Sequence, residues 1–322
     1  SEDDMLAPPR PWFYSLRGRV HGFRLRGCRQ FGAGLNLKVA PRMDTTPLQT
    51  LSEALCCPDC KADLSFTDMN VTCTGCGNNY AIDDGIPQFA ELGTNLGVAL
   101  DAVEAGPVTS ADYQTHYQDL DDAKQYNVEY KEKLFKRWST QREFSLLERL
   151  LSSQPKCQRL LDLPCGGGRL SPQIGRFTDL LIESDIGKGQ VRYARQNNTL
   201  DIPRLYMTST AFKLPLKDNS VDATVCIRLN HHMPTRQERD QLISEILRVS
   251  SRFVIMTYFD YHSLKNTLRR VRRPFDKQPP KMTMSSADVA AAAEQHGAKL
   301  VACPMLNPVS SGHRYGLIVK NG

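Results

Sequence analysis

The chain has 322 residues, of which 40% are hydrophobic and 24% are charged, and this composition excludes a wholly disordered or fibrous protein. No apolar stretch approaches the roughly 18 residues of a membrane-spanning helix, so a transmembrane helix is also excluded. The net charge is +6, but residues 1–42 hold eight Lys and Arg residues against three acidic ones. The remainder is nearly neutral, which counts against a protein that binds nucleic acid through its overall field.

Residues 1–42 mix Pro, Gly and Arg without convincing periodicity, and we predict that they form a basic, disordered segment. Three interpretations compete: a remnant of an expression or upstream reading sequence, a basic arm, and an organelle presequence. No secretory apolar segment precedes the ten cysteines, so reduced thiols in an intracellular compartment are expected. The expected location is therefore cytoplasmic, or an organelle matrix if residues 1–42 are a presequence.

A compact, cysteine-containing module is predicted at residues 47–90. Cys57 and Cys60 form one Cys-x-x-Cys pair, and Cys73 and Cys76 form a second pair after twelve intervening residues. A hairpin between the pairs would bring four thiolates together, and four thiolates complete a tetrahedral Zn²⁺ site without an open position for water. The predicted zinc is therefore structural, and its binding would stabilise a module too small to bury much core. The alternative is four unligated or redox-active thiols.

This module resembles a known family of small zinc ribbons. The segments LCCPDC at 55–60 and VTCTGC at 71–76 carry the resemblance, together with the ending YAIDDGIP at 80–87. They are similar to the zinc-ribbon family whose members activate tRNA and release-factor methyltransferases. Ala81 replaces the proline that is usual in the family's ending, Tyr-Pro-Ile-x-Asp-Gly-Ile-Pro.

Strands and helices alternate after the module. Residues 91–111 are small and poorly patterned and are predicted to be a linker, and residues 112–322 are predicted to be the second domain. A helix is predicted at 121–151, where the following Pro155 ends it. Further helices are predicted at 170–177, 189–197, 236–249 and 286–296, and strands at 159–163, 180–184, 205–208, 221–227, 252–259, 300–305 and 315–320. The last two strands are expected to form an antiparallel pair, and the alternation predicts a doubly wound α/β fold.

A glycine-rich turn follows the first predicted strand of this domain, in the segment LLDLPCGGGR at 160–169. Glycines at a strand-to-helix turn allow a ligand to approach the backbone closely. Asp185 ends the next strand, about 20 residues later, where an acidic side chain accepts hydrogen bonds from ribose hydroxyls. Dinucleotide-binding enzymes use the same arrangement, so Asp185 alone does not identify the nucleotide.

Together these segments resemble class I S-adenosylmethionine-dependent methyltransferases, over roughly residues 110–322. The turn at 160–169 is similar to the family's Leu-Asp-x-Gly-Cys-Gly-x-Gly loop, with Pro164 in place of the first glycine. SDIGKGQVRYA at 184–194, TAFKLPLKDNSVDATVCI at 210–227 and LNHHMP at 229–234 match three further family motifs in order. The resemblance implies a mostly parallel, seven-stranded Rossmann-like sheet, S-adenosylmethionine as cofactor, and methyl transfer as the reaction.

The resemblance also implies a set of cofactor-binding residues. Asp162 would lie near the methionine amino group, the glycines would line the cofactor, and Asp185 would hold the ribose. Residues 211–212 would flank the adenine, and Thr210 stands where many relatives have an acid that contacts the adenine amine. Pro164 and Thr210 depart from the family pattern, so a weakened cofactor site is the alternative. The candidates are Asp162, Pro164, Cys165, Gly166, Gly168, Asp185, Ile186, Thr210, Ala211, Phe212 and Arg228.

His231 and His232 are the candidate catalytic residues. They follow the strand predicted at 221–227, at the carboxyl edge where α/β sheets place their ligands. The ordinary pKa of a histidine lies close to neutrality, so either side chain suits a general base. In the family this pair is commonly structural, which is the alternative.

A basic insert follows the strand predicted at 252–259. Residues 265–281 contain seven Lys and Arg residues against Asp276 alone, where this fold usually carries its substrate cover. These cations suit the phosphate of RNA, of a phosphorylated metabolite or of a lipid head group. Residues 264–281 also form a basic amphipathic segment with Leu264, Leu268 and Val271 on its apolar side, which predicts peripheral membrane contact. A solvated charged loop is the alternative.

The sequence therefore predicts S-adenosylmethionine-dependent methyl transfer to a small-molecule or lipid-linked acceptor. The segment IRLN at 227–230 stands where enzymes that methylate planar nitrogens carry Asn-Pro-Pro-Tyr, and the pattern LNHH is closer to small-molecule methyltransferases, including those of quinone biosynthesis. One alternative is an RNA methyltransferase whose ribbon and basic insert bind phosphates. Another is a non-catalytic, methyltransferase-like subunit that binds a partner.

Overall fold

A computed structural model describes residues 51–90, 134–197, 200–272 and 282–321. The predicted basic segment 1–42 and the predicted linker 91–111 lie outside these ranges. The described strands are β1 (Leu64–Phe66), β2 (Asn70–Cys73), β3 (Asn79–Asp83), β4 (Ile86–Pro87), β5 (Cys157–Asp162), β6 (Thr178–Asp185), β7 (Arg204–Thr208), β8 (Val221–Cys226), β9 (Ser250–Phe259), β10 (Ala298–Ala302) and β11 (His313–Lys320). The described helices are α1 (Leu134–Ser152), α2 (Ser171–Ile174), α3 (Lys188–Asn197), α4 (Arg236–Val249), α5 (Leu264–Arg272) and α6 (Ser286–Glu294), with 3-10 turns at Gly175–Phe177 and Asn230–His232.

The larger sheet has seven strands in the order β10-β11-β9-β8-β5-β6-β7. Neighbouring strands from β9 through β8, β5 and β6 to β7 are all parallel. Strand β11 is antiparallel to both of its neighbours, β9 and β10. The predicted doubly wound, mostly parallel α/β sheet is confirmed, and so is the antiparallel pairing of the last two strands.

Apolar side chains bury both faces of this sheet. On one face, Leu147 and Leu151 of α1 and Ile174 of α2 pack with residues of the central strands. On the other face, Ile246 of α4 and Val289 of α6 belong to a second cluster. A sheet covered on both faces needs strands whose central residues are apolar on both sides, which explains the continuous hydrophobic run at residues 253–256 of β9.

Two helices on this second face begin at capping boxes. Thr235 accepts a hydrogen bond from the backbone N–H of Glu238, and the Glu238 carboxylate accepts one from the backbone N–H of Thr235. Ser285 and Asp288 make the same reciprocal pair at the start of α6. Each box satisfies backbone N–H groups that the first helical turn leaves unpaired, so both helices start where the sequence predicts.

The first four strands form a separate antiparallel sheet in the order β1-β2-β3-β4. This small sheet adjoins the β7 edge of the large one, where the backbone N–H of Phe89 donates to the carbonyl of Thr208 at 3.0 Å. Leu55 pairs with Leu216 in an isolated antiparallel bridge. Tyr80, Phe89 and Leu55 also join the apolar cluster of the large sheet, so the two sheets share one core.

Some predicted elements differ from the observed ones. The predicted helix 170–177 is one turn of α-helix followed by a 3-10 turn, in which Gly175 lies so close to the Leu200 side chain that a Cβ would come within 2.7 Å of it. The predicted helix 121–151 is described from Leu134 and ends at Ser152. Within the described part of the chain, no helix combines the length and the apolarity needed to cross a bilayer.

Candidate active site and candidate metal centre

The four cysteines of the small sheet converge on one point. Cys57 and Cys60 precede β1, Cys73 ends β2, and Cys76 lies in the turn before β3. The Sγ atoms of Cys57 and Cys76 are 3.7 Å apart and those of Cys60 and Cys73 are 3.3 Å apart. All four Sγ atoms lie within 4.8 Å of one another.

Backbone geometry holds the cysteines in two knuckles. Lys61 and Gly77, which follow the two pairs, both have left-handed backbone conformations, with φ of 62° and 75°. The backbone N–H groups of Gly75 and Cys76 donate to Cys73 Sγ at 3.3 and 3.4 Å. The Cys76 N–H in particular lowers the pKa of Cys73 to about 6, because hydrogen bonds to sulfur favour the thiolate.

This arrangement fits a tetrahedral zinc ion. With zinc–sulfur distances of about 2.3 Å, the sulfurs of a tetrahedral site are about 3.8 Å apart. The observed separations of 3.3 and 3.7 Å lie close to that value. The four-cysteine cluster is therefore compatible with zinc and supplies a complete set of protein ligands.

The segment beside the adenine candidates contacts the first knuckle. Asp59, between Cys57 and Cys60, accepts a hydrogen bond from Lys213 Nζ at 3.0 Å. The backbone N–H of Cys56 donates to the carbonyl of Pro215 at 3.2 Å. These contacts fix residues 213–215 immediately after the predicted adenine-flanking positions 211–212.

Asp162 lies at the carboxyl end of β5, at the centre of the sheet. Its side chain is completely buried, and neither carboxylate oxygen has a hydrogen-bond partner among the described residues. Burial, and then the charge of nearby Glu183, raises the pKa of Asp162 well above its ordinary value. An unpaired carboxylate in such a place favours a ligand that brings a positive charge or hydrogen-bond donors.

Gly166 and Gly168 have different structural roles in the turn after β5. Both have left-handed backbone conformations, with φ of 53° at Gly166 and 74° at Gly168. A Cβ at Gly166 would have no atom of the described residues within 4 Å, whereas a Cβ at Gly168 would come within 3.2 Å of the Ala194 Cβ. Gly166 therefore leaves space beside the backbone for a ligand, and Gly168 allows helix α3 to pack against the turn.

Asp185, at the end of β6, is hydrogen-bonded to this glycine turn. Its Oδ2 accepts from the backbone N–H of Gly166 at 2.9 Å, and its Oδ1 accepts from Gly187 N–H at 2.8 Å. Burial raises the pKa of Asp185 to about 6, although hydrogen bonds from the backbone N–H groups of Gly187, Gly166 and Ile186 act in the opposite direction. The carboxylate thus joins the two turns that the sequence assigned to the cofactor.

The segment after β7 lies beside Asp185. The backbone N–H of Ser209 donates to the carbonyl of Asp185 at 3.0 Å. Thr210 Oγ1 accepts from the backbone N–H of Phe212 at 3.1 Å, so one acceptor site of this hydroxyl is used within its own turn. Ala211 is half-buried and Phe212 is buried.

Three further predicted cofactor residues lie in the turns after β5 and β6. Pro164 follows a cis peptide bond and is half-buried, as is Ile186 after β6. Cys165 is buried, its backbone N–H donates to the carbonyl of Ser184 at 2.9 Å, and burial raises the pKa of its thiol. These three residues therefore lie in the same two turns as Gly166 and Asp185.

Arg228 belongs to a buried charge cluster. Glu143 of α1 is fully buried, and its carboxylate accepts hydrogen bonds from Arg169 at 2.6 Å, from Arg228 at 3.2 and 3.3 Å and from the Tyr315 hydroxyl at 2.5 Å. Burial acts to raise the pKa of Glu143, but the charges of Arg169 and Arg228 outweigh it and lower the pKa to about 2. The guanidinium of Arg228 thus connects α1 to the turn after β8, and its predicted contact with the cofactor stays a prediction.

The two candidate catalytic histidines lie in the 3-10 turn after β8. The ring of half-buried His231 is 4.2 Å from that of His232, 4.4 Å from that of Phe259 and 5.3 Å from that of His313. His232 is exposed. The structure therefore places His231 within an aromatic cluster at the carboxyl edge of the sheet, with His232 on its outer side.

Sequence reasoning missed two residues of this region. Glu143 precedes Leu147 by four positions and Leu151 by eight, so an acid on the apolar stripe of a helix was the signal that could have found it. His313 carries no such signal, because only its pairing with Phe259 across β11 and β9 brings it to the cluster. Burial, and then the charge of Arg228, lowers the pKa of His313 to about 3.

The chain is similar in sequence and in fold to known methyltransferases. Residues 161–252 match the family described as "Methyltransferase domain". No curated protein matches the chain. The magnesium protoporphyrin IX methyltransferase of Synechocystis PCC 6803 with bound S-adenosylhomocysteine aligns with a TM-score of 0.55 and 18% identity, over 65% of this chain and 98% of that chain. With bound S-adenosylmethionine the same enzyme gives a TM-score of 0.52 and 18% identity, over 68% of this chain and 100% of that chain.

At these identities the structural likeness establishes the fold, while the family match covers the turn after β5, the acid that ends β6 and the candidate histidines. The prediction of an S-adenosylmethionine-dependent methyltransferase is confirmed: residues 161–252 match a methyltransferase domain, and the sheet has the fold of an enzyme that binds this cofactor.

Proposed function

We propose that this protein transfers the methyl group of S-adenosylmethionine to a small-molecule or lipid-linked acceptor, and that its four clustered cysteines hold a structural Zn²⁺. The observation that carries the methyl-transfer proposal is the buried carboxylate of Asp162, which has no hydrogen-bond partner among the described residues and precedes the open turn at Gly166 by four positions. This pair lies at the carboxyl ends of parallel strands, where open α/β sheets bind their ligands.

The residues around this point fit the cofactor. The Asp162 carboxylate would accept hydrogen bonds from the methionine ammonium, whose positive charge would keep the carboxyl ionised despite its burial. Asp185 could still accept from a ribose hydroxyl, since a carboxylate has about four acceptor positions and three backbone N–H groups are bonded to this one. Phe212 and Ala211 would cover the adenine, and Gly166 would allow the ligand to approach the backbone.

When bound, the cofactor supplies an activated methyl group, so the protein's task is to align the acceptor and remove its proton where needed. We assign the proton transfer to His231, which lies among aromatic rings at the carboxyl edge of the sheet. A ring nitrogen of His231 would take the proton from the acceptor atom as that atom bonds to the methyl carbon and the methyl–sulfur bond breaks. His313 is unsuited to this role because its pKa of about 3 makes it a weak base, and exposed His232 is the second candidate.

The surroundings of His231 support the proposed acceptor class. The rings of Phe259 and His313 form an aromatic wall beside it, with centroids 4.4 Å apart. Such a wall suits a planar or apolar acceptor, and small-molecule sites are mostly apolar with a few polar groups. RNA methylation is the second candidate function, because helix α5 carries four cations on the same edge of the sheet.

Calorimetric titration with S-adenosylmethionine and S-adenosylhomocysteine tests the cofactor site. We expect micromolar binding by the zinc-loaded protein and a loss of about tenfold or more in Gly166→Ala, whose new methyl group enters the ligand space. Gly297→Ala is the matched control, because Gly297 also has a positive φ of 66° and nothing within 4 Å of its Cβ. If the folded wild-type protein binds neither compound, or if both variants bind equally, the proposed cofactor site is wrong.

Transfer of a radiolabelled methyl group tests the acceptor class. Purified protein is incubated with labelled S-adenosylmethionine and with a lipid extract, a small-metabolite fraction or total RNA. Label in the lipid or metabolite fraction supports the proposal, and label in RNA supports the alternative function. Cofactor binding without transfer to any fraction would favour the non-catalytic subunit. His231→Ala should slow transfer far more than His232→Ala at unchanged cofactor affinity.

A further inference from the structure

Helix α5 presents an exposed apolar stripe. Leu264, Leu268 and Val271 are 50%, 44% and 69% exposed, and their spacing of four and three residues places them on one side of the helix. Tyr261, which is 46% exposed, lies three residues before Leu264. We define these four residues as the α5 stripe. A folded surface rarely exposes large apolar side chains in a row, so the stripe indicates a binding partner.

Four cations accompany the stripe. Lys265, Arg269, Arg270 and Arg272 all lie on the same helix, and residues 261–272 contain no Asp or Glu. Within the described ranges, none of these four cations forms an ion pair with a carboxylate. Asp260, which immediately precedes this segment, is buried and already bonded to Arg314 at 3.0 Å.

The inner side of helix α5 is firmly attached to the sheet, which fixes the direction of the stripe. Asn266 is buried, and its Nδ2 donates to the carbonyl of Asp260 at 2.9 Å. Gly312 packs so closely on Asn266 that a Cβ at this glycine would come within 2.6 Å of the amide. The helix therefore cannot rotate to bury its leucines against its own domain without losing these contacts.

We propose that the α5 stripe and its cations dock this protein on an anionic phospholipid bilayer. An amphipathic helix with a basic polar face lies in the plane of a bilayer, its apolar side chains among the acyl chains and its cations among the phosphates. The charge complementarity is one-sided, because helix α5 contains four cations and no acid, which matches a negative surface. A soluble protein partner would need no such uniform charge.

Docking through α5 would bring the candidate acceptor site to the membrane surface. The Arg269 guanidinium lies 5.8 Å from the centre of the Phe259 ring, which in turn contacts His231. A lipid-linked acceptor would then reach the aromatic cluster directly from the bilayer. This consequence rests on the proposed function, whereas bilayer binding itself does not.

Vesicle flotation tests the proposal with the full chain and without cofactor. We expect the protein to bind vesicles of phosphatidylcholine mixed with phosphatidylglycerol and to remain unbound with phosphatidylcholine alone. Arg272→Glu changes the charge by two units and should weaken binding about 25-fold, at about fivefold for each unit of charge. Leu268→Asp should weaken binding about tenfold or more, because it places a charge within the apolar side.

Matched substitutions on β10 are the controls. Lys299→Glu makes the same charge change, and Val301→Asp places the same acid at a residue that is 51% exposed, both on a strand away from α5. These two variants should bind anionic vesicles within about twofold of wild type. Melting curves of all variants verify that each one is folded.

Three outcomes would overturn the proposal. The first is a wild-type protein that does not float with anionic vesicles. The second is equal loss in the α5 variants and in the β10 controls, since binding would then depend on net charge or on another part of the chain. The third is tight, Arg272-dependent binding of a homopolymeric RNA without vesicle binding, which would make α5 an RNA-binding surface.

Discussion

The buried charge cluster around Glu143 offers the most direct test of how α1 is held against the large sheet. Glu143→Gln preserves the shape of the side chain but removes its charge. The carboxylate now serves two guanidinium groups and one hydroxyl, at distances between 2.5 and 3.3 Å. Glutamine would remove the negative charge that both Arg169 and Arg228 face, and its amide would direct donors toward other donors.

The expected cost follows from burial. Removing one partner of a buried ion pair costs about 3–5 kcal/mol. Arg169 and Arg228 keep 19% and 24% of their side chains exposed, so some of their charge is solvated and we expect about 3 kcal/mol. For a domain of this size that corresponds to a fall in Tm of about 6–12 °C. Tyr315→Phe, which removes a single hydrogen bond to a charged group, should cost about 2 kcal/mol.

Urea and thermal unfolding followed by circular dichroism measure the effect. Glu148→Gln is the control on the same helix, because Glu148 pairs with Arg176 at the surface, where both side chains are about half exposed and the pair contributes less than about 1 kcal/mol. If Glu143→Gln and Glu148→Gln lower the free energy of unfolding equally, the cluster does not stabilise the attachment of α1 and the reasoning is wrong.

The same variant predicts a dependence on pH. The pKa of Glu143 is about 2 in the folded protein, below its ordinary value of 4.5. A carboxyl whose pKa is lowered by folding stabilises the folded state fully above its unfolded pKa and loses this contribution as the pH falls. The difference in stability between wild type and Glu143→Gln should therefore be constant near neutrality and shrink as the pH falls from 4.5 toward 2.

Three further predictions concern the metal and the cofactor. Metal analysis should find about one zinc per chain, lost in Cys60→Ser and Cys76→Ser but retained in Cys303→Ser, which lies outside the cluster. The affinity for S-adenosylhomocysteine should rise as the pH rises through about 6, because the ionised Asp185 carboxylate accepts hydrogen bonds from the ribose hydroxyls and its protonated form does so poorly. Calorimetry that shows the same affinity across that pH range would contradict this role of Asp185. Removal of zinc by a chelator should also weaken the binding of S-adenosylhomocysteine, since the first cysteine knuckle holds residues 213–215 beside the proposed adenine site. If the metal-free protein binds with unchanged affinity, the zinc site does not support the cofactor site.

Local patterns sufficed for much of the fold. The helix predicted at 236–249 is observed as Arg236–Val249, because a capping box and an apolar period mark its start and its extent within the segment itself. The two Cys-x-x-Cys pairs predicted one cluster for a similar reason, since each knuckle is a local turn and a short hairpin joins them. The turns at Gly166 and Asp185 lie close in sequence to strands that were easily recognised.

Partners separated widely in sequence could not be predicted. Nothing near Arg228 indicates that its guanidinium pairs with Glu143, because the two meet only when α1 packs on the sheet. His313 lies beside His231 only because β11 pairs with β9, and local sequence motifs do not predict which strands pair. Exposure is equally non-local, so the sequence left open whether the apolar side of residues 264–271 was buried.

The sequence by itself determined the class of this protein: its alternating strands and helices, its four-cysteine module and the glycine turn followed by an acid. These features depend on residues a few positions apart, where backbone geometry and spacing leave little choice. Only the tertiary structure decided which charges are buried together, which histidine lies within the aromatic cluster and which side of α5 faces solvent. Those outcomes depend on packing between distant segments, because burial and charge pairing are properties of the assembled fold.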